Sequence, residues 1–123
     1  MISPARVAAY DILTAVSAGH DLPAAIAAAR TGLKDERDRA LAADIATGVQ
    51  RWRAALDHLI VAFSKRAIDR LDPEVVEILR LSAYQLLHLT RVPASAVVDD
   101  GADLTRRAGK RSAVGFVNAV LRA

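Results

Sequence analysis

The sequence predicts an all-α fold, and three observations carry that prediction. Of 123 residues, 26 are alanine, the best helix former, while four prolines and six glycines leave few breakers. Apolar residues recur at steps of three and four rather than alternating. Strand signals are weak, with only five aromatic side chains. The length suits one domain over residues 1–123, large enough to bury roughly two thirds of its unfolded surface.

The first helix starts at Ser3-Pro4, a capping residue followed by a proline whose missing N–H costs nothing in the first turn. It is expected to run to about Ala18, with Val7, Ala8, Ile12, Leu13 and Val16 on one face, and to stop at Gly19. Asp21 and Pro23 open a second helix that Gly32 ends. Asp35 begins a helical run of about 29 residues whose apolar stripe includes Val49, Trp52 and Leu56. That exceeds the usual globular helix, so a break is expected near Gly48–Trp52. Lys65–Leu71 reads as a connection with room for one more turn.

The stretch from Asp72 to Pro93 is the expected centre of the bundle. Asp72-Pro73 is a helix start, and Pro93 disfavours helix at Val92. Between them the helix is apolar nearly all round, which predicts burial on most sides. Glu77, Arg80, Tyr84 and His88 form its one narrow polar stripe, with Glu77 and Arg80 spaced to pair. Ser95 is the expected cap of the next helix, in which Asp99 and Asp100 read as solvated carboxylates matching the helix dipole. Arg106 and Arg107 finish it, and Ala108-Gly109 stops it. Ser112 is the expected cap of the last helix. The count is six or seven helices.

Catalytic and metal patterns are weak. There is no cysteine, hence no disulfide, thiolate ligand or cysteine nucleophile. His20, His58 and His88 lie on different elements with no metalloprotease spacing. Gly109-Lys110-Arg111-Ser112 lacks the first glycine of a phosphate-binding loop, since position 104 is Leu. Neither a cofactor nor a catalytic site is expected. No basic-then-apolar start and no 18-residue apolar window occur, so neither a secretory leader nor a membrane association is indicated, and a cytoplasmic location is expected.

Charge is more informative. The net charge is +3, but residues 106–123 hold Arg106, Arg107, Lys110, Arg111 and Arg122 with no acid. A basic end points to a polyanionic partner, nucleic acid first, or simply to cations completing helix dipoles. Arg51 and Arg53 flank Trp52, whose place on the apolar stripe favours core packing over base stacking. The two arginines either face solvent or, for Arg53, pair with Asp57 four residues on.

Five segments in order then resemble the NusB-like helical domain. They are Arg6–Leu13, Asp38–Leu41 through Gly48–Trp52, Leu56-Asp57, Ile78–Leu87 with Val92-Pro93, and Gly115–Arg122. The LRLSAYQLL, VP and FVNAVLR pieces at this spacing are the specific part. Of two branches sharing this domain, the chain is closer to the N-terminal domain of the RsmB (Sun/Fmu) 16S ribosomal RNA cytosine-C5 methyltransferases than to the antitermination factor NusB. DRALAADIATGVQRW, PASAVVDD and the NAVLR ending carry that preference. The arginine-rich N-terminus typical of NusB is lacking, since only Arg6 precedes Arg30, and Asp99-Asp100 replaces a glutamate-bearing pattern common to both branches.

The resemblance implies about seven helices in two small sub-bundles. It implies a non-catalytic RNA-docking module, since the family's enzymes bind S-adenosylmethionine in a further domain and use a cysteine. Its partners would be RNA, ribosomal RNA first, and a protein of NusE type, and a homodimer is compatible with the sequence. On this reading Arg106, Arg107, Lys110 and Arg111 contact phosphates, joined by Arg51, Arg53 and Arg6. The alternative is a free-standing NusB-type antitermination factor acting through RNA and a NusE-like partner.

Overall fold

The computed structural model describes residues 1–123, which form seven α-helices, two 3₁₀ turns and no strand. The helices are α1 (Pro4–Ser17), α2 (Leu22–Arg30), α3 (Glu36–Arg51), α4 (Arg53–Ser64), α5 (Pro73–His88), α6 (Ala94–Arg107) and α7 (Val114–Arg122). The 3₁₀ turns are Ile68–Arg70, within the connection expected there, and Arg111–Ala113.

Local chemistry explains four of the helix ends, whereas Asp72 makes no side-chain cap at the start of α5. The Asp21 carboxylate accepts the Ala24 N–H at 2.7 Å and the Asp35 carboxylate accepts the Arg37 N–H at 2.8 Å, each satisfying an orphan donor of a first turn. α1 and α6 both end in left-handed glycines, Gly19 (φ 107°) and Gly109 (φ 79°). Behind them, His20 N donates to the Ala15 carbonyl and Lys110 N to the Thr105 carbonyl, the paired closure that a glycine permits.

Four expected boundaries move. Ser3 makes no side-chain cap; its backbone N–H donates to Asp100 instead, at 3.1 Å. α5 stops at His88 rather than near Val92, because Leu89 turns extended and the chain needs Leu89–Pro93 to fold back into α6. α6 starts at Ala94 with Pro93 in the cap position, so Ser95 lies inside the first turn and caps nothing. Ser112 sits within the second 3₁₀ turn, and α7 begins two residues later without a side-chain cap.

α1, α2 and α3 pack on one another, and α5 joins that group to α4, α6 and α7. This is the expected pair of sub-bundles sharing one central helix. Val75, Val76, Ile78, Leu79 and Leu81 of α5 are buried with Leu13 of α1, Ile45 of α3, Leu56 of α4, Leu104 of α6 and Val117 of α7. Each large apolar side chain taken from water contributes on the order of 1.5–3 kcal/mol. The end of α5 departs from the expected burial: Leu87 is 55% exposed. With Phe63 of α4, 53% exposed, it borders an apolar groove of about 430 Å³ between α4, α5 and α7. No helix is long and apolar enough to cross a membrane.

Candidate nucleic-acid interface

The basic turn is built by the end of α6. Arg106 and Arg107 occupy its last turn, where cations complement the helix dipole. The Gly109 reversal then carries Lys110 and Arg111 toward α7. Arg106, Arg107 and Arg111 are exposed and Lys110 is half-buried. The four do not form one bare cationic surface. Arg106 pairs with Asp103 of its own helix at 2.7 Å and lines a polar hollow with Asp99, Asn118 and Arg122. Arg107 turns the other way, 3.9 Å from Asp11 of α1. Lys110 lies 3.4 Å from Asp72 and 3.8 Å from Glu74, at the start of α5. Arg111 alone has no carboxylate within 4.0 Å. Carboxylates distant in sequence thus interleave with the basic end. Exposed pairs of this kind contribute about 0–1 kcal/mol, so an incoming phosphate can replace the carboxylate at small cost.

The same acids reach Tyr10. Burial pushes its phenol above the usual range; Thr14 opposes this, while the charges of Glu74 and Asp11 add to it and Arg107 opposes it.

Arg6 is a correction. It is only 7% exposed, with Nε donating to Gln85 Oε1 at 2.7 Å and Nη1 to Asp100 Oδ2 at 2.8 Å. A guanidinium so engaged is not free to meet a phosphate. Asp100, 7% exposed, is correspondingly no solvated carboxylate; only Asp99 faces water.

The stripe on α5 divides in two. Arg80 holds Asp57 of α4 bidentately, at 2.7 and 2.9 Å, and donates to Glu77 at 3.2 Å. The Ser17 hydroxyl of α1 donates to the same Glu77 oxygen at 2.6 Å. Burial by itself would lower the Arg80 pKa; the bonds to Asp57 and the charges of Glu77 and Asp57 more than reverse it, and the guanidinium stays charged. The expected Glu77–Arg80 pair is present. The option that Arg53 pairs with Asp57 is not, because Arg80 occupies that carboxylate.

The upper half of the stripe joins Trp52. The break between α3 and α4 falls at this residue, within the expected window, where the backbone leaves helical geometry at φ −102° and ψ 15°. Trp52 is 44% exposed while Val49 and Leu56 are buried, contrary to the core role expected of it. Its ring stacks on His88, with centroids 5.2 Å apart and planes 18° apart. His88 stacks in turn on Tyr84 at 5.1 Å. The Tyr84 hydroxyl donates to Asp44 at 2.9 Å, and burial first, then Asp44, holds its pKa above the ordinary value. A methyl group at Gly48 would fall inside the Tyr84 ring, so that glycine is what admits the stack. Arg51 and Arg53, on either side of Trp52 in the chain, are exposed and without a carboxylate within 4.0 Å. Spacing along α5 placed Tyr84 and His88 on one polar stripe. Nothing local linked them to Trp52, which is reached only after the α3–α4 break.

A profile described as the NusB family matches residues 3–123. A Mycobacterium tuberculosis protein carrying the name of a methyltransferase is 39% identical over 126 aligned residues, 98% of this chain and 27% of that protein. Ribosomal RNA small subunit methyltransferase B of Pseudomonas putida is 35% identical over 95% of this chain and 27% of its own length. The chain thus spans about 27% of the curated relatives it matches end to end. The transcription antitermination protein NusB of Marinobacter nauticus is 37% identical, over 63% of this chain and 49% of that one. Among solved structures, one described as a plectonemic RNA supercoil superposes with a TM-score of 0.87 at 25% identity, covering 97% of this chain and 89% of that one. Antitermination factors NusB and NusE in complex with double-stranded RNA give a TM-score of 0.86 at 24% identity, covering 97% and 91%, a likeness of fold.

Proposed function

The chain belongs to the NusB family, and from that premise we propose that it is the RNA-docking module of a ribosomal RNA 5-methylcytosine methyltransferase, non-catalytic by itself. One observation carries the reading. The methyltransferase relatives align with 95–98% of this chain, whereas the NusB of Marinobacter nauticus aligns with 63%. In both methyltransferases the aligned part is about a quarter of the protein, the share expected of an accessory domain.

Docking works by positioning. Arg106, Arg107, Lys110 and Arg111 take phosphates at the end of α6, and Arg51 and Arg53 take them at the α3–α4 junction. The helices hold the two sets in fixed relation. Such contacts set register and affinity and carry little sequence information. The chain has no cysteine, so a cytosine-attacking cysteine is not among its residues.

Titration of a ribosomal RNA fragment against salt tests the surface. Affinity is expected to fall steeply between about 50 and 200 mM salt, and charge reversal at Arg106 and Arg107 is expected to reduce the log–log slope by about 0.7–0.9 for each phosphate no longer neutralised. A flat salt dependence, or full affinity after both reversals, rules out the basic turn.

A second reading, a NusB-type antitermination factor engaging a NusE-like protein, is favoured by the apolar groove between α4, α5 and α7. It predicts protein capture from extract that survives nuclease treatment and is abolished by Phe63→Asp. The RNA reading predicts capture that nuclease abolishes.

A further inference from the structure

We propose that the exposed indole of Trp52 is a stacking platform for one unpaired base of the bound RNA, with Arg51 and Arg53 receiving the phosphates on either side of that base. This rests on the RNA-docking reading above and assigns it a second, chemically different contact.

Three observations converge on the indole. First, its exposure is out of keeping with its surroundings. Val49 and Leu56, its neighbours on the same stripe, are buried, while Trp52 keeps 44% of its surface in solvent. His88 stacks on the ring at 5.2 Å, and the residue still keeps that exposure with the stack in place. Second, the ring is held from behind. Tyr84 backs His88, Asp44 fixes the Tyr84 hydroxyl, and Gly48 provides the space Tyr84 fills. A base added to a stack already held in place finds the site ordered before it arrives, so little of the stacking energy goes into ordering it. Third, the flanking charge is uncommitted. Arg51 and Arg53 have no carboxylate within 4.0 Å, and the nearest acid along the helix, Asp57, is held by Arg80. An exposed aromatic residue with an exposed arginine on either side of it in the chain suits a base between two phosphates. The basic turn at 106–111, where three of four cations already have carboxylate neighbours, has no aromatic plate of this kind.

Trp52 is the chain's one tryptophan, so its emission reports this site alone. The probes are a short single-stranded RNA of mixed sequence, an abasic strand of the same length, and a blunt RNA duplex. Binding is read by anisotropy of a terminal label, alongside tryptophan emission. The expected result is quenching by the single strand that saturates with binding, and no quenching by the abasic strand or the duplex. Trp52→Ala is expected to weaken the single strand by about 5- to 150-fold, to leave duplex affinity within about twofold, and to leave helicity unchanged by circular dichroism. Trp52→Phe is expected to retain most of the affinity. Single-strand binding with unquenched emission, or with Trp52→Ala within about twofold of the parent, overturns the platform and leaves the docking reading standing. Failure of every RNA to bind overturns both.

Discussion

Removing the Asp100 carboxylate strands the Arg6 guanidinium inside the protein. The two are joined at 2.8 Å, each 7% exposed, and Gln85 and the Ser3 N–H complete the cluster. An uncompensated buried charge costs far more than the pair contributes, so Asp100→Ala is expected to lower stability by about 3–5 kcal/mol in urea unfolding. The double change Arg6→Met with Asp100→Leu is expected to recover most of that loss, because apolar replacement of a buried pair is often neutral. A single mutant within about 1 kcal/mol of the parent, judged against the usual spread of point mutations, would show the pair to be incidental. The same cluster marks where residue-level reading of the sequence stops. Glu77 and Arg80 are three apart on one helix, and their pairing follows from spacing. Arg6 and Asp100 are 94 apart, so local pattern offered each only a surface role: phosphate contact for one, dipole matching for the other.

At the scale of elements, what the sequence made legible was punctuation that acts within a turn. Asp21 and Asp35 cap as expected, Gly19 and Gly109 close as expected, and the excess length of residues 35–63 signalled the break at Trp52. Ser95 and Ser112 failed as caps because tertiary return, not side-chain chemistry, fixes where α6 and α7 begin. The exposure of Trp52 and its stack on His88 were equally hidden. Gly48 tests how α3 and α5 fit together. Alanine is the better helix former by about 1 kcal/mol, yet Gly48→Ala is expected to destabilise by about 1–3 kcal/mol because its methyl would enter the Tyr84 ring. In a Tyr84→Ala background the same substitution is expected to become neutral or stabilising. Thermal unfolding of the four proteins of this cycle decides it, and equal effects in both backgrounds would break the link between Gly48 and the stack.

For the molecule as a whole, the number and arrangement of helices followed from composition, periodicity and family resemblance. The distribution of charge did not. The sequence concentrates its basic excess after residue 105, but folding brings Asp11, Asp72 and Glu74 to the same place. An asymmetry along the chain is therefore not one in space, and the two unpaired arginines beside Trp52 gain weight relative to the basic turn. The docking reading also makes a prediction about activity. This chain alone is expected to transfer no methyl group from labelled S-adenosylmethionine to ribosomal RNA, and scintillation counting of the recovered RNA checks it. Incorporation above a no-protein blank would refute the accessory role.

The Arg6–Asp100 tie also has a consequence in time. A ribosome adding roughly 5–20 residues per second releases Arg6 long before it adds Asp100, 94 positions later. Through that interval α1 can meet α3, but its guanidinium has no countercharge to be buried with. The nascent domain therefore cannot seal its first helix until α6 has been made. The earliest helix waits for the sixth, and the order of synthesis sets a limit on how soon the fold can close.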